Sequence, residues 1–316
     1  GRGLCYSITS MTPNLTRRAV LPLGAALLAA PPLRAQARPL VVASFSILGD
    51  MVRQIAGDGV ALRVLAGPGA DPHLFQPRPS EAEAVRGAAL VVRNGLGFEP
   101  WLDRLLRSTG YRGPVATATA GITPLRTRSG DGHGHSHGQG APDPHCWQDL
   151  RLAQSYARTI GEGLATADPG RTAAWREAAA AYAARLAGLD AWVRERIATV
   201  PPERRLVITS HDAFGYFAAA YGVRFLAPQG IAPEGQPSAA QVAALIRQIR
   251  RTGASAVFIE GPGSQAVMER LARDAGVRIR GRLFADTLSA PDGPAPSYEA
   301  MMRHNVDAMV PAMRGD

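Results

Sequence analysis

The sequence contains no lysine, so all 35 of its basic residues are arginines. These arginines are scattered among acidic residues on predicted helices, with no basic block and no interleaved aromatic side chains. Nucleic-acid-binding proteins usually concentrate their positive charge on one face or along one helix. The high isoelectric point of about 10.4 therefore does not indicate a nucleic-acid partner.

Cysteine is almost absent, and long apolar runs are absent altogether. The two cysteines are Cys5 and Cys146, and Cys5 lies upstream of a predicted cleavage site, so no disulfide is expected within the mature chain. The apolar run at residues 19–30 is too short to cross a bilayer, and no later segment is long enough. We expect the mature protein to be soluble.

Residues 1–37 are predicted to be an export signal together with residues upstream of it. Arg17 and Arg18 precede the apolar run, and a small-x-small pattern then ends at Ala37. This order is typical of a secretory signal, and it predicts cleavage near Ala37 and a periplasmic mature chain. The paired arginines fit a twin-arginine signal, and an ordinary Sec signal fits as well.

Short segments rich in β-branched residues alternate with helical patterns in both halves of the mature sequence, which predicts βαβ units and parallel sheets. Between the halves, one helical pattern rich in Ala and Arg runs from residue 170 to residue 198 and would span roughly 45 Å. The predicted fold class is α/β, with two lobes joined by this helix. The predicted domains are an N-terminal lobe at 38–167, a connecting helix at 168–200 and a C-terminal lobe at 201–316.

Four candidate metal ligands follow predicted strands. His73 and His145 each end an Asp-Pro-His motif, His211 follows the strand RLVITS, and Asp286 ends the segment RLFAD. Ligands gather outside the carboxyl ends of parallel strands, so these residues are expected to converge in a cleft between the lobes. Three imidazoles and one carboxylate form a tetrahedral set suited to Zn²⁺. A single histidine, considered alone, more often has a structural role than a metal-binding one.

Other residues with possible metal chemistry are weaker candidates. His133, His135 and His137 lie in a Gly-rich loop at 131–141 and are predicted accessory ligands, although a dispensable loop explains them equally well. Cys146 is expected to be buried rather than bound to metal. Glu260 ends a predicted strand of the second half and is a reserve ligand. His304 lies on the last predicted helix, where a role in packing or at the surface accounts for it.

The mature chain resembles the metal-specific solute-binding proteins of ABC importers, in the zinc-binding branch. The resemblance covers nearly all of residues 40–313, and it rests on GADPHLFQPRPSE, DPHCWQD, SHDAFGYFAAAYG, GIAPEGQPSAAQ, VFIEGPGS, FADTLS and MMRHNVD. It implies two pseudo-symmetric lobes joined by one rigid helix, with the metal between them. It also implies metal ligation by His73, His145, His211 and Asp286.

The function that the resemblance implies is capture of Zn²⁺ in the periplasm and delivery to a membrane ABC permease. A periplasmic zinc chaperone is a further candidate partner, and we expect a monomer. The alternatives are a zinc buffer or chaperone acting through the His-rich loop, and a manganese-binding importer component. Manganese and iron relatives resemble this sequence but typically carry Glu at the position of His211, so the histidine favours zinc. A zinc hydrolase is disfavoured, because four ligands would fill the shell and no motif supplies a general base. We therefore expect no enzymatic activity.

Overall fold

The computed structural model describes residues 1–7, 9, 38–126, 140–230, 237–261 and 264–316. The chain divides into two compact units, Gly1–Ala37 and Arg38–Asp316. In the first unit, the described residues 1–7 and 9 contain no helix or strand. Most of the predicted export signal lies outside the described residues, and so do His133, His135 and His137 of the His-rich loop.

A four-stranded parallel sheet forms the first half of the unit Arg38–Asp316. Its strands are β1 (Leu40–Phe45), β2 (Ala61–Ala66), β3 (Leu90–Arg93) and β4 (Val115–Thr117), in the order β2-β1-β3-β4. Its helices are α1 (Ser46–Ala56), α2 (Pro79–Arg86) and α3 (Pro100–Thr109). Five of the six residues of β1 are buried, as expected for a central strand that helices cover on both faces.

A second four-stranded parallel sheet repeats this arrangement. Its strands are β5 (Leu206–Ile208), β6 (Arg224–Leu226), β7 (Ala256–Ile259) and β8 (Ile279–Arg282), in the order β6-β5-β7-β8. Its helices are α6 (Gly215–Tyr221), α7 (Ala239–Thr252), α8 (Gln265–Ala275) and α9 (Tyr298–Arg314). The equivalent strand orders confirm the predicted α/β class with two similar halves.

Two consecutive helices connect the sheets. Helix α4 (Leu150–Ala167) begins after Asp149, whose carboxylate accepts the Arg151 backbone N–H. A 3₁₀ turn at Pro169–Arg171 leads into α5 (Thr172–Ala198), whose 27 residues extend for about 40 Å. Helix α5 contacts α1 and α4, which precede it in the sequence, and α6 and α9, which follow it. The predicted long connecting helix is therefore confirmed, whereas the domain boundaries stay a prediction.

Two of the predicted ligands lie in loops beside the ends of helices and strands. Helix α6 begins at Gly215, so His211 lies in the loop before the helix. Strand β8 ends at Arg282, so Asp286 lies in the loop beyond the strand. At the start of α2, the Glu81 carboxylate accepts the Arg78 backbone N–H at 2.6 Å.

Candidate metal centre

Four side chains from four separate loops meet at one point, and they are the four predicted ligands. His73, His145, His211 and Asp286 each offer one ligand atom, and these atoms all lie within 4.8 Å of one another. Asp286 Oδ2 lies 2.9 Å from His211 Nε2 and 3.4 Å from His73 Nε2, and Asp286 Oδ1 lies 3.4 Å from His145 Nε2. The three imidazoles therefore surround one carboxylate and present the same nitrogen to it.

These four side chains are withdrawn from solvent. The exposed fraction is 0% for the His145 side chain, 7% for His73 and His211, and 11% for Asp286. The three Nε2 atoms and Asp286 Oδ1 are buried without a hydrogen-bond partner. Polar atoms left unpaired in a protein interior are costly. Four such atoms facing one another form the kind of donor set that a cation satisfies.

The His73 loop follows β2 and is held by contacts on two sides. Asp71 Oδ1 accepts the His73 backbone N–H at 2.8 Å, which tightens the Asp-Pro-His turn. Trp101 Nε1 donates to Pro72 O at 2.7 Å, so a buried residue of α3 fixes the turn from the other side. The ring of Phe98 packs edge-on against the His73 imidazole with centroids 4.5 Å apart.

The second Asp-Pro-His turn holds His145 through its own aspartate. Asp143 Oδ1 accepts the His145 backbone N–H at 2.9 Å and lies 2.8 Å from His145 Nδ1. Because a carboxylate can only accept, the Nδ1 atom carries the proton and Nε2 keeps its lone pair for a metal. Asn94 Nδ2 donates to Pro144 O at 2.9 Å, which ties this turn to the end of β3.

A buried glutamate lies behind His211, on the side of the ring that faces away from Asp286. Glu260 Oε2 lies 2.6 Å from His211 Nδ1, and Glu260 Oε1 accepts the Ser210 backbone N–H at 2.6 Å. Glu260 follows directly after β7, the strand that pairs with β5, so the two adjacent strands deliver the pair. In this geometry Glu260 orients the His211 ring, although the sequence had suggested it as a reserve ligand.

Asp286 lies in a loop that contacts the first half of the molecule. Trp147 Nε1 and Gln148 Nε2 both donate to Ala285 O, at 2.9 Å and 3.1 Å. Trp147 and Gln148 belong to the short 3₁₀ turn that follows His145. The loops of two ligands are therefore joined directly by hydrogen bonds.

The charges of the cluster shift its pKa values strongly. Burial lowers the pKa of His145, but the carboxylates of Asp286 and Asp143 outweigh burial and raise this pKa to about 9. For His211, burial is likewise outweighed by Glu260 and Asp286, which hold its pKa well above the usual range. Burial raises the pKa of Asp286, but His211 and His145 hold it well below the usual value. Without metal, this site carries protons at neutral pH.

The weaker candidates have structural surroundings. Cys146 is buried, as expected, and burial raises the pKa of its thiol to about 11, which disfavours a thiolate ligand. His304 Nε2 lies 2.9 Å from Arg282 O, away from the four ligand atoms. Sequence reasoning overlooked Asp143 as an orienting group. The signal was present, since an Asp precedes both histidines at the same spacing.

Comparison with known proteins bears directly on this site. The family described as zinc-uptake complex component A, periplasmic, matches residues 41–312. The chain belongs to this family. Its members are metal-binding, substrate-binding components of ABC transporters, so the family partner is a membrane permease and the family acts outside the cytoplasm. Among the described residues, no helix combines the length and apolar character that a membrane crossing requires.

Three curated relatives of similar identity are named for three different metals. The manganese-binding lipoprotein MntA of Halalkalibacterium halodurans is 31% identical over 85% of this chain and 87% of its own length. The iron-binding protein YfeA of Yersinia pestis is 33% identical over 85% of this chain and 84% of its own. The zinc-binding protein TroA of Treponema pallidum is 33% identical over 88% of this chain and 90% of its own.

The solved structure of the periplasmic zinc-binding protein TroA matches this fold with a TM-score of 0.80. The two share 31% sequence identity, and the match covers 88% of this chain and 99% of that chain. The architecture of two sheets and a long helix is therefore shared with a metal-binding protein of the family. Similarity of this degree to relatives named for manganese, iron and zinc leaves the choice of metal to the chemistry of the site.

Proposed function

We propose that this protein binds Zn²⁺ through His73, His145, His211 and Asp286 and delivers it to an ABC permease for import. The observation that carries the proposal is the set of three Nε2 atoms and one carboxylate oxygen that are buried, unpaired and directed at one another. Asp143 and Glu260 support it, because each orients one imidazole from behind, as the outer partners of metal-bound histidines generally do.

The composition of the donor set favours zinc over manganese. Three imidazole nitrogens and one carboxylate oxygen match the ligands and the coordination number that Zn²⁺ prefers. Manganese is a harder ion and favours oxygen donors. Zinc also binds nitrogen ligands more tightly than manganese does. The three nitrogen donors are therefore the features that should give the site its preference for zinc.

A storage or delivery role through His133, His135 and His137 alone would need no buried cluster. Catalysis by a bound zinc would need an open coordination position for water. Four protein donors around one point favour retention of the ion over chemistry upon it. We therefore place function in periplasmic transport, with the permease as partner and the protein acting as a monomer.

Metal analysis after competition tests this proposal. The purified protein is equilibrated with equal concentrations of Zn²⁺ and Mn²⁺, freed of loose metal by gel filtration and analysed for bound ions. We expect one Zn²⁺ per chain, and we expect His73→Ala, His145→Ala and His211→Ala each to lose it. His304→Ala is the matched control and should keep its zinc. Retention of one zinc by His145→Ala, or selective loading with manganese, would contradict the proposal.

A further inference from the structure

The segment that carries Asp286 belongs to the second half by sequence, but residues of the first half fix its backbone. Ala285 O accepts the indole N–H of Trp147 at 2.9 Å on one side of Asp286. On the other side, the Leu288 backbone N–H donates to Ser46 Oγ at 3.0 Å in a buried contact. The carboxylate is therefore held between two fixed points.

A further contact joins this fixed segment to the loop of His73. The Gly69 backbone N–H donates to Thr287 Oγ1 at 2.8 Å and to Leu288 O at 3.2 Å. Thr287 Oγ1 also lies 3.3 Å from Ser46 Oγ. Gly69 shortly precedes His73 in the same loop, and Thr287 follows Asp286 directly. The Thr287 hydroxyl thus links the segments of two ligands that are adjacent in space.

Three of the four ligand side chains lie on the more accessible side of the site. His73, His211 and Asp286 retain some exposure, whereas His145 has none. A departing ion must therefore separate from His145 and pass the other three side chains. Since the Asp286 segment is fixed on both sides and Glu260 holds the His211 imidazole from behind, the His73 loop is the part that can yield.

The His73 loop is attached at Pro72 by a buried hydrogen bond and at Gly69 by an N–H that is shared between Thr287 Oγ1 and Leu288 O. Trp101 holds Pro72 through a buried hydrogen bond of 2.7 Å. The bond from Gly69 to Thr287 is exposed, so water can replace it without leaving a buried polar group unpaired. Opening at the Gly69 end is accordingly the less costly movement.

We propose that Thr287 is a positioning residue for metal retention. Its hydroxyl accepts the shorter of the two hydrogen bonds that tie the His73 loop to the fixed Asp286 segment, and release of Gly69 from Thr287 and Leu288 is the step that lets His73 leave the ion first. This role rests on the proposed function, because it requires an ion held by His73 and Asp286.

Zinc dissociation from the full chain tests the role of the hydroxyl. The protein is loaded with one equivalent of Zn²⁺ and mixed with excess chelator in a stopped-flow instrument. Thr287→Val removes the hydroxyl at nearly constant volume and should speed dissociation by about fivefold, the effect expected from loss of one hydrogen bond. Thr287→Ser keeps the hydroxyl and should release zinc at the wild-type rate.

Thr252→Val is the matched control, because the Thr252 hydroxyl donates to Gln248 O at 2.9 Å at the end of α7. It should leave the rate unchanged. A wild-type rate of zinc release from Thr287→Val would overturn the proposal. Release from Thr287→Ser that is as fast as release from Thr287→Val would overturn it as well. Should Thr287→Val fail to fold, Thr287→Ala replaces it, with faster release expected and an unchanged rate contradicting the proposal.

Failure of the underlying function would give a different result. In that case the wild-type protein would not hold one zinc, or His145→Ala would hold it as well as the wild type does. An incorrect role for Thr287 would instead leave wild-type binding intact and only the rates of the Thr287 variants unchanged.

Discussion

Glu260 Oε2 lies 2.6 Å from His211 Nδ1, and both side chains are buried beside the ligand cluster. A carboxylate in this position fixes the ring orientation and places the imidazole proton on Nδ1. It also makes Nε2 a stronger donor to a metal. Glu260 should therefore influence the strength of metal binding through His211, although it does not itself contact the metal.

Replacement of this carboxylate by an amide should weaken zinc binding. We expect Glu260→Gln to reduce affinity by about tenfold to a hundredfold, the usual effect of losing such a partner. Competition with a zinc indicator measures the change. The exposed Glu203 gives the control variant Glu203→Gln, which should bind zinc as the wild type does. Equal affinities for the two variants would rule out an orienting role for Glu260.

A change of ligand at position 211 should alter selectivity, but the structure adds a condition. His211→Glu replaces a nitrogen donor by oxygen, so zinc affinity should fall by more than about a hundredfold, beyond the range expected for loss of an outer partner. The new carboxylate would, however, face the Glu260 carboxylate, and two like charges this close repel each other. The double variant His211→Glu with Glu260→Gln should therefore bind manganese better than the single variant. Parallel titrations with Zn²⁺ and Mn²⁺ decide this, and unchanged zinc affinity would refute it.

Zinc binding should release protons at neutral pH. The pKa of His145 is about 9 in the metal-free protein because Asp286 and Asp143 outweigh burial, whereas a ligand imidazole must be free of its Nε2 proton. The apparent affinity should therefore fall by up to about tenfold per pH unit below about pH 9 for each proton displaced. Calorimetry in buffers of different ionisation enthalpy counts the protons. Zinc binding without proton release at pH 7 would contradict this expectation.

The metal-free protein should show an unusual dependence of stability on pH. The folded-state pKa of His145 lies above its ordinary value of 6.5, so its contribution to stability is complete below pH 6.5 and is lost as pH rises through about 9. The pKa of Asp286 is lowered, so its contribution is lost only in acid, well below pH 3.8. Urea unfolding with a chelator present should show stability falling between about pH 6.5 and pH 9. His145→Ala should flatten this decline, and an equally steep decline in that variant would argue against the assignment.

Deletion of residues 131–141 separates the cluster from the His-rich loop. The deletion removes His133, His135 and His137 but leaves the Asp143–His145 turn in place. We expect tight one-to-one zinc binding to survive, with the loss of weak additional binding. Isothermal titration of both forms measures this. Loss of the tight site on deletion would move the primary metal function to the loop.

The candidate ligands could be singled out from the sequence because they follow predicted strands or end paired Asp-Pro-His motifs. The strand RLVITS places His211 at the carboxyl end of β5, and the paired Asp-Pro-His motifs place His73 and His145. Convergence follows from the general tendency of parallel sheets to gather ligands at that edge. The fold class could be predicted for the same reason, since the alternation of strands and helices is a local pattern.

The sequence could not predict which residues support the ligands. Glu260 and His211 are far apart along the chain, and their contact depends on the pairing of β5 with β7. The link between Asp286 and the first half depends on the way the two halves meet, which no local pattern encodes. Ordinary imidazole chemistry would also place loss of binding near pH 6, whereas the two carboxylates beside His145 move this transition upward.

The four proposed ligands come from loops that are separated along the chain by complete strands and helices. An ion bound by them would cross-link distant parts of the polypeptide, and the unfolded chain offers no comparable site. Binding to the folded state alone adds to its stability in proportion to the logarithm of the free metal concentration. Resistance of this protein to unfolding and to proteolysis should consequently rise with the metal supply, so that the amount of intact protein becomes a record of metal availability.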